Sequence, residues 1–119
     1  MKPLKPKQHG KTGPEAKIQK AIIEYLTNLG WFVKATHGNA YSSGWPDLFA
    51  CHSRYGQRWI EVKLPGFKGS KFTTAQIRDF PLFGHHGSGV WVMTGATEVE
   101  YEKLMRSPNW YQYLSVFKS

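Results

Sequence analysis

Two carboxylates and a lysine stand in two short hydrophobic stretches of the sequence. Asp47 follows Pro46 at the start of the first stretch, and Glu61 and Lys63 flank Val62 in the second. If the two carboxylates meet, their oxygens can bind Mg²⁺, which prefers oxygen ligands and keeps several of its own waters. A bound divalent ion lowers the pKa of a water molecule, and a neighbouring amine can orient that water or stabilise developing charge. This combination is typical of metal-assisted hydrolysis.

Both stretches are predicted to be β-strands, joined by a hairpin turn at residues 53–57. Because side chains alternate across a strand, Glu61 and Lys63 share one face, while Ile60 and its apolar neighbours share the other. With the turn centred near Tyr55, Asp47 lies roughly opposite Lys63 and diagonal to Glu61, about 7–8 Å away. A register slip of one residue would move Asp47 to the other face. The alternative is a surface-exposed Glu61/Lys63 pair on an edge strand.

Pro46-Asp47 followed by Glu61-Val62-Lys63 resembles the signature of PD-(D/E)xK nucleases. The preceding Gly44 narrows the resemblance to VRR-Nuc domains, the virus-type replication-repair nucleases, over roughly residues 15–94. The resemblance implies an α/β fold of the restriction-endonuclease-like kind, a mixed β-sheet flanked by helices. It also implies Mg²⁺ or Mn²⁺ as the cofactor, bound by the two carboxylates and the main-chain carbonyl of Val62.

Residues 14–29 are predicted to form the first helix, because Pro14 suits a first helical position and Gly30 a C-terminal stop. Glu15 and Gln19 are four residues apart and lie at the edge of the apolar stripe of this helix. The resemblance implies that both turn towards the active site, with Glu15 binding the ion through water or positioning a second ion. The alternative for Glu15 is an acid that is favoured in the first turn by the helix dipole alone.

A second helix is predicted over residues 73–83. Thr73 and Gln76 have the spacing of a capping box, which accounts for both residues without a functional role. The resemblance nevertheless implies that Gln76 supports the active site. Pro81 is predicted to kink or end this helix, because proline removes a backbone hydrogen bond and clashes with the preceding turn.

The chain carries 16 Lys and Arg against 8 Asp and Glu, a net charge of +8 that suits a polyanionic partner such as DNA. Residues 1–13 contain lysines and no acid, and are predicted to form a flexible basic arm. The residues expected to contact DNA are Lys2, Lys5, Lys7, Lys11, His37, Asn39, Lys68, Lys71 and Arg78. The alternatives are a solvated terminus without a role and an ordinary surface loop at residues 65–72.

Residues 14–119 are expected to form a single nuclease domain. Its single cysteine, Cys51, is expected to be a small buried hydrophobic residue, and the lack of an internal disulfide fits a reducing compartment. No stretch reaches the length of a membrane span, and the N-terminus lacks an apolar signal core. We therefore expect an intracellular, cytoplasmic protein, as in a bacterial or phage-infected cell, with no membrane partner and no small-molecule cofactor.

The last third of the chain is predicted to contain a strand at residues 90–94, a helix at 96–106 and a final helix opened by Pro108. The final helix carries three aromatic residues, Trp110, Tyr111 and Tyr113, which are hard to fit into a small core and are enriched at interfaces. They favour a homodimer, whose twofold symmetry would supply two cutting sites. The alternative is a monomer with these aromatics packed on its own sheet.

The sequence therefore predicts a Mg²⁺-dependent DNA endonuclease. Resemblance to stand-alone VRR-Nuc domains implies selectivity for branched DNA such as Holliday junctions. The alternatives are a nuclease for flaps, ends or unbranched duplex, and a non-catalytic module that only binds nucleic acid.

Overall fold

A four-stranded mixed sheet forms the centre of the computed structural model, which describes residues 13–36, 43–67 and 71–114. The strands are β1 (Phe32–Ala35), β2 (Leu48–His52), β3 (Gly56–Val62) and β4 (Val90–Met93), and they lie side by side in that order. β1 and β2 are antiparallel, as are β2 and β3, while β3 and β4 are parallel. Parallel neighbours need a long crossover, and here it contains a helix. The predicted α/β class with a mixed sheet is confirmed.

Helix α1 (Pro14–Asn28) packs on one face of this sheet. Pro14 occupies the first turn, and Gly30 just beyond the helix has a φ of 95°, which glycine adopts more easily than other residues. Ile22 and Leu26 are fully buried against Ile60 and Val62 of β3. The predicted first helix is therefore confirmed, and Ile22 and Leu26 are the members of its apolar stripe that are fully buried.

Helix α2 (Thr74–His85) packs on the opposite face, where Phe80 is fully buried with Phe72 and the β4 residues Val90 and Val92. The helix contains Pro81 and continues beyond it to His85, so of the two predicted effects of Pro81, a kink or an end of the helix, the end is wrong. Aromatic packing explains the continuation. The Phe80 ring centroid lies 5.7 Å from that of Phe72, and side chains on both sides of the proline are anchored in this cluster.

The two faces of β3 therefore meet different helices. Ile60 and Val62 belong to the core beneath α1, whereas Trp59 packs in the cluster beneath α2. Because side chains alternate along a strand, Glu61 and Lys63 point to the α2 side together with Trp59. The predicted division of these residues between two faces is confirmed.

A short helix α3 (Glu98–Glu102) and a 3₁₀ turn (Lys103–Met105) fill most of the stretch that was predicted to be helical. The expected final helix is a second 3₁₀ turn, Trp110–Tyr113. Before it, the side chain of Asn109 bonds both backbone groups of Val92, accepting from its N–H at 2.6 Å and donating to its carbonyl at 3.5 Å. Asn109 thus satisfies the backbone N–H and carbonyl of Val92 on the edge strand β4.

The terminal aromatics pack largely on the protein itself. The Trp110 ring lies 5.9 Å from Phe72 and 5.7 Å from Phe80, and Tyr113 packs in the same cluster. Tyr111 is 58% exposed. The argument for a dimer from crowded aromatics therefore applies to Tyr111 alone.

Two smaller expectations concern Cys51 and membrane-spanning helices. Cys51 is a free cysteine in β2, but it is half-buried where full burial was expected. No helix among the described residues is long and apolar enough to cross a membrane.

Candidate functional site

The hairpin register places Asp47 beside Glu61. Leu48 pairs with Ile60 in the β2–β3 ladder, so the next position brings Asp47 opposite Glu61 and on the same face. Sequence reasoning places Asp47 opposite Lys63, two residues away. The difference arises because His52 already pairs with Gly56, which leaves a loop of three residues. A shift of two residues preserves the face, so the two carboxylates still meet.

The Asp47 segment is held by backbone bonds from two neighbouring strands. One carboxylate oxygen of Asp47, Oδ2, accepts the backbone N–H of Val62 at 2.8 Å. The main-chain carbonyl of Asp47 accepts the backbone N–H of Thr36 at 2.8 Å and the Thr36 hydroxyl at 3.0 Å. The same hydroxyl also donates to the main-chain carbonyl of Pro46. Thr36 therefore positions Asp47. Sequence reasoning missed this role of Thr36.

Glu61 is the most constrained residue of the site. It is 2% exposed, and its Oε2 accepts a hydrogen bond from Gln76 Nε2 at 3.0 Å and lies 3.2 Å from Lys63 Nζ. Its other oxygen, Oε1, is buried and has no hydrogen-bond partner among the described residues. Burial raises the pKa of Glu61 well above its usual range, the negative charge of Asp47 raises it further, and Lys63 and Gln76 oppose both effects. A cation at Oε1 would favour the charged form of Glu61 and satisfy this oxygen.

Lys63 follows β3 directly and is 3% exposed. Its Nζ donates to the main-chain carbonyl of Lys71 at 2.5 Å and lies 4.7 Å from the centre of the Phe72 ring. Together with Glu61, these contacts fix the amine at one position. Lys71 was expected to contact DNA through its side chain, which is exposed, and its carbonyl has the additional role of holding Lys63.

Gln76 combines the two roles that the sequence offered as alternatives. Its Oε1 accepts the backbone N–H of Thr73 at 3.0 Å while Thr73 accepts the backbone N–H of Gln76 at 3.1 Å, which completes the predicted capping box. Its Nε2 then donates to Glu61. One buried amide thus joins the start of α2 to the carboxylate of β3.

Glu15 and Gln19 lie on α1, on the other side of the sheet. Gln19 is buried and Glu15 is half-buried, as the helical spacing predicted. Over residues 13–36, 43–67 and 71–114, no group of three or more His, Cys, Asp or Glu side chains is close enough to bind a metal ion. The carboxylates that the described residues bring together on this face are Asp47 and Glu61, and a role for Glu15 or Gln19 stays a prediction.

Comparison with solved structures finds a likeness to a structure described as a "VRR_NUC domain", with a TM-score of 0.57 and 29% sequence identity. The match covers 76% of this chain and 92% of that one. The chain has the fold of a VRR-Nuc domain. No protein-family model matches the sequence, and neither does any curated protein.

The VRR-Nuc fold suggests a nuclease-type domain, and the residues of this one fit a divalent cation. Two carboxylates share a face, one of them has a buried oxygen without a partner, and its pKa is raised by burial and by the other carboxylate. A hard cation with oxygen ligands would satisfy the buried oxygen and offset the repulsion between the two charges.

The expected DNA contacts of this chain fall largely outside the part that the structure describes. Lys2, Lys5, Lys7, Lys11, His37, Asn39 and Lys68 lie outside the described residues, and so does the predicted basic arm except Gly13. Arg78 is exposed, but its guanidinium binds Asp79 at 2.7 and 3.0 Å. This pairing raises the pKa of Arg78 and lowers that of Asp79. Part of the charge of Arg78 is therefore neutralised within the protein.

Gly44 brings the segment before Asp47 close to α2. Its φ is 86°, and a Cβ at this position would lie 2.3 Å from Asp79 Oδ2 and 3.3 Å from the Ala75 carbonyl. The conformation and the space therefore both favour glycine. The next residue, Trp45, packs against Trp59 of β3 at a ring distance of 5.1 Å.

Proposed function

We propose that this protein is a metal-dependent DNA endonuclease that hydrolyses phosphodiester bonds. The observation that most supports this proposal is the buried, unpartnered Oε1 of Glu61 beside the carboxylate of Asp47. Leaving such an oxygen unsatisfied costs roughly 1–3 kcal/mol, and more when it is charged. A bound cation would offset this free-energy cost. In a module that only binds nucleic acid, the unsatisfied oxygen would destabilise the fold without serving a function, which argues against that alternative.

The proposed ligands are Asp47, Glu61 and the main-chain carbonyl of Val62, with Glu15 acting through water. Mg²⁺ is the proposed ion, with Mn²⁺ as a substitute, because two carboxylates and a carbonyl match its preference for oxygen. When bound, the ion lowers the pKa of a water and neutralises charge on the phosphate. Gln76 holds Oε2 of Glu61, so Oε1 is the oxygen left to face the ion. Gln19 is proposed to support the site from α1.

Lys63 is proposed to act on the attacking water or on the developing charge of the phosphate. Its amine is fixed by Glu61, by the carbonyl of Lys71 and by the ring of Phe72, so it needs little rearrangement during the reaction. Preorganised charge in a water-poor site stabilises a transition state more than the same charge in water. The ammonium can stabilise charge as it stands, whereas action as a base first requires loss of its proton.

The proposed substrate is branched DNA such as a Holliday junction, cut by a homodimer inside the cell. The net charge of +8 suits a polyanion. The proposed phosphate contacts are the lysines of residues 1–13 together with His37, Asn39, Lys68, Lys71 and Arg78. Residues 14–119 are proposed to form one nuclease domain. The preference for branches rests on the resemblance to stand-alone VRR-Nuc domains, and the dimer on the symmetry of a junction with two equivalent strands.

A panel of end-labelled linear, flap and four-way-junction DNAs, incubated with Mg²⁺, tests the proposal. We expect Mg²⁺-dependent cleavage that EDTA and Glu61→Ala abolish, with Ca²⁺ supporting binding but not turnover. Glu24→Gln, a change at an exposed acid of α1, is the matched control and should cleave like the wild type. Cleavage in EDTA, or no cleavage of any DNA, would overturn the nuclease proposal. Equal cleavage of linear and junction DNA would remove only the preference for branches.

A further inference from the structure

A small groove opens beside the carboxylate site on the α2 face of the sheet. We call it the Trp45 groove; it has a volume of ≈ 320 Å³ and its lining includes Trp45, Asp79, Leu82, Phe83, His86 and Ser88. Trp45 is 42% exposed and Leu82 is 50% exposed, so two large apolar side chains meet solvent at its rim. The catalytic proposal uses none of these side chains.

Two aromatic rings, Trp45 and Phe83, line the Trp45 groove, and Trp59 packs against both of them. Trp45 lies 5.1 Å from Trp59 and 5.5 Å from Phe83, and Trp59 lies 5.7 Å from Phe83, with all three pairs tilted or edge-to-face. Trp45 is thus fixed from within while much of its surface remains exposed. A fixed and partly exposed indole offers a stacking surface at a small cost in side-chain entropy.

The groove lies close to the carboxylates. Trp59, which supports Trp45, precedes Glu61 by two residues on the same face of β3, a separation of about 7 Å along a strand. Trp45 itself is two residues from Asp47. A phosphate bound at the carboxylates would therefore have the groove within about one nucleotide of it.

We infer that the Trp45 groove binds one unpaired nucleobase next to the phosphate that is cut. This inference rests on the proposed DNA substrate. The groove is at the lower end of the size range of ligand sites, which suits a single flat ring system better than a helix or a strand. Bases in a continuous duplex are stacked on each other and do not reach such a groove, whereas unpaired bases stack readily on aromatic side chains.

Polar groups in the groove match the edge of a base. His86 Nδ1 lies 2.9 Å from the Leu82 carbonyl, which can only accept, so a neutral His86 presents Nε2 as an acceptor. The Ser88 hydroxyl can donate or accept. Asp79, the acid of the groove, is paired with Arg78 at 2.7 Å, which offsets its repulsion of the DNA backbone.

The test compares the affinities of two DNAs, measured by fluorescence anisotropy in Ca²⁺. One is a fully paired duplex, and the other is the same duplex with a short unpaired bulge. Stacking of one base on an aromatic ring is worth roughly 5- to 150-fold in affinity. We therefore expect the wild type to prefer the bulged DNA, and Trp45→Ala to reduce that preference at least about five-fold within the same range.

Two further variants separate stacking from folding. Trp45→Phe keeps an aromatic face and should retain most of the preference, while Leu82→Gln changes only an exposed rim residue and should reduce it by a smaller factor. Phe32→Ser is the matched control, because Phe32 is an aromatic residue that is 61% exposed outside the groove. Phe32→Ser should prefer bulged over fully paired DNA by the same factor as the wild type.

A direct readout uses the fluorescent base 2-aminopurine as the unpaired nucleotide. Its emission should fall on binding to the wild type and stay high with Trp45→Ala at saturating protein. Three results would each overturn the inference. They are a preference for bulged DNA that Trp45→Ala leaves unchanged, an equal loss of that preference in Phe32→Ser, and a wild type that does not prefer bulged DNA. A change of sedimentation coefficient in Trp45→Ala with the preference intact would also overturn it, since a second copy would then occupy the groove. Failure of the nuclease proposal is separate, because it appears as absent cleavage in Mg²⁺ whatever the binding preference.

Discussion

Replacing Asp47 with asparagine should stabilise the metal-free protein while abolishing its function. Asparagine keeps an oxygen that can accept the Val62 N–H but removes the negative charge beside Glu61. Directly opposite residues have Cβ atoms about 4.5–5.5 Å apart. At about 5 Å and an effective dielectric constant of about 20, two negative charges repel by about 3 kcal/mol.

The expected gain is smaller than this repulsion, because Glu61 can bind a proton and Asp47 is only half-buried. We expect a gain of about 1–2 kcal/mol in the free energy of unfolding in EDTA, or roughly 3–8 °C in Tm for a domain of this size. Since its pKa in the folded protein is raised, Glu61 favours folding below its ordinary pKa, and that contribution is lost as the pH rises through the raised value. The variant lowers this pKa, so its advantage over the wild type should grow with pH upward from about 5.

Thermal unfolding in EDTA and in Mg²⁺, at several pH values, measures both effects. Mg²⁺ should raise the Tm of the wild type by mass action and leave that of Asp47→Asn unchanged. Glu24→Gln, which removes an exposed charge of α1, should stay within about 0.5 kcal/mol of the wild type. A metal-free Asp47→Asn that is less stable than the wild type at pH 8, or one that Mg²⁺ still stabilises, would refute the reasoning.

Three further predictions concern other parts of the site. Lys63→Met should lose cleavage but keep the Mg²⁺-dependent rise in Tm, because the carboxylates remain; loss of both would make Lys63 part of the metal site itself. Thr73→Ala removes only a helix cap, so it should lower the free energy of unfolding by about 1 kcal/mol with little change in the cleavage rate. Gln76→Ala should lower the free energy of unfolding and also slow cleavage. Thermal unfolding measures the first effect and single-turnover kinetics the second. Deleting residues 1–13 should reduce the slope of log affinity against log salt by about 0.9 for each phosphate that the arm neutralises. An unchanged slope in anisotropy titrations would leave the arm without a role in binding.

The shared face of Glu61 and Lys63 was predictable because it follows from side-chain alternation alone, whereas the position of Asp47 on that face depends on the hairpin register. Glu61 and Lys63 share a face in any β3 strand, whatever its neighbours. The register was harder, since it depends on which residues form the turn. Gly56, with a φ of 86°, pairs with His52 and closes the turn one residue earlier than a turn centred on Tyr55 would. The resulting error of two residues left the site intact, whereas an error of one would have destroyed it.

Contacts between distant parts of the chain could not be predicted from local patterns. Thr36 holds Asp47 across a strand pair, and the Lys71 carbonyl holds Lys63. Likewise, Phe80 beside Pro81 is anchored by Phe72, which precedes α2, and by Trp110 near the end of the described chain. In each case the deciding partner lies outside the helix or strand whose propensity and spacing were read.

The central claim is that Asp47 and Glu61 together bind a divalent ion, and anomalous diffraction from crystals soaked in Mn²⁺ tests it most directly. We predict a single strong anomalous peak within coordination distance of an Asp47 carboxylate oxygen and of Glu61 Oε1, absent from crystals of Asp47→Asn treated in the same way. A peak only at other residues, or a Glu61 Oε1 that is hydrogen-bonded to a protein donor with no ion beside it, would contradict the claim.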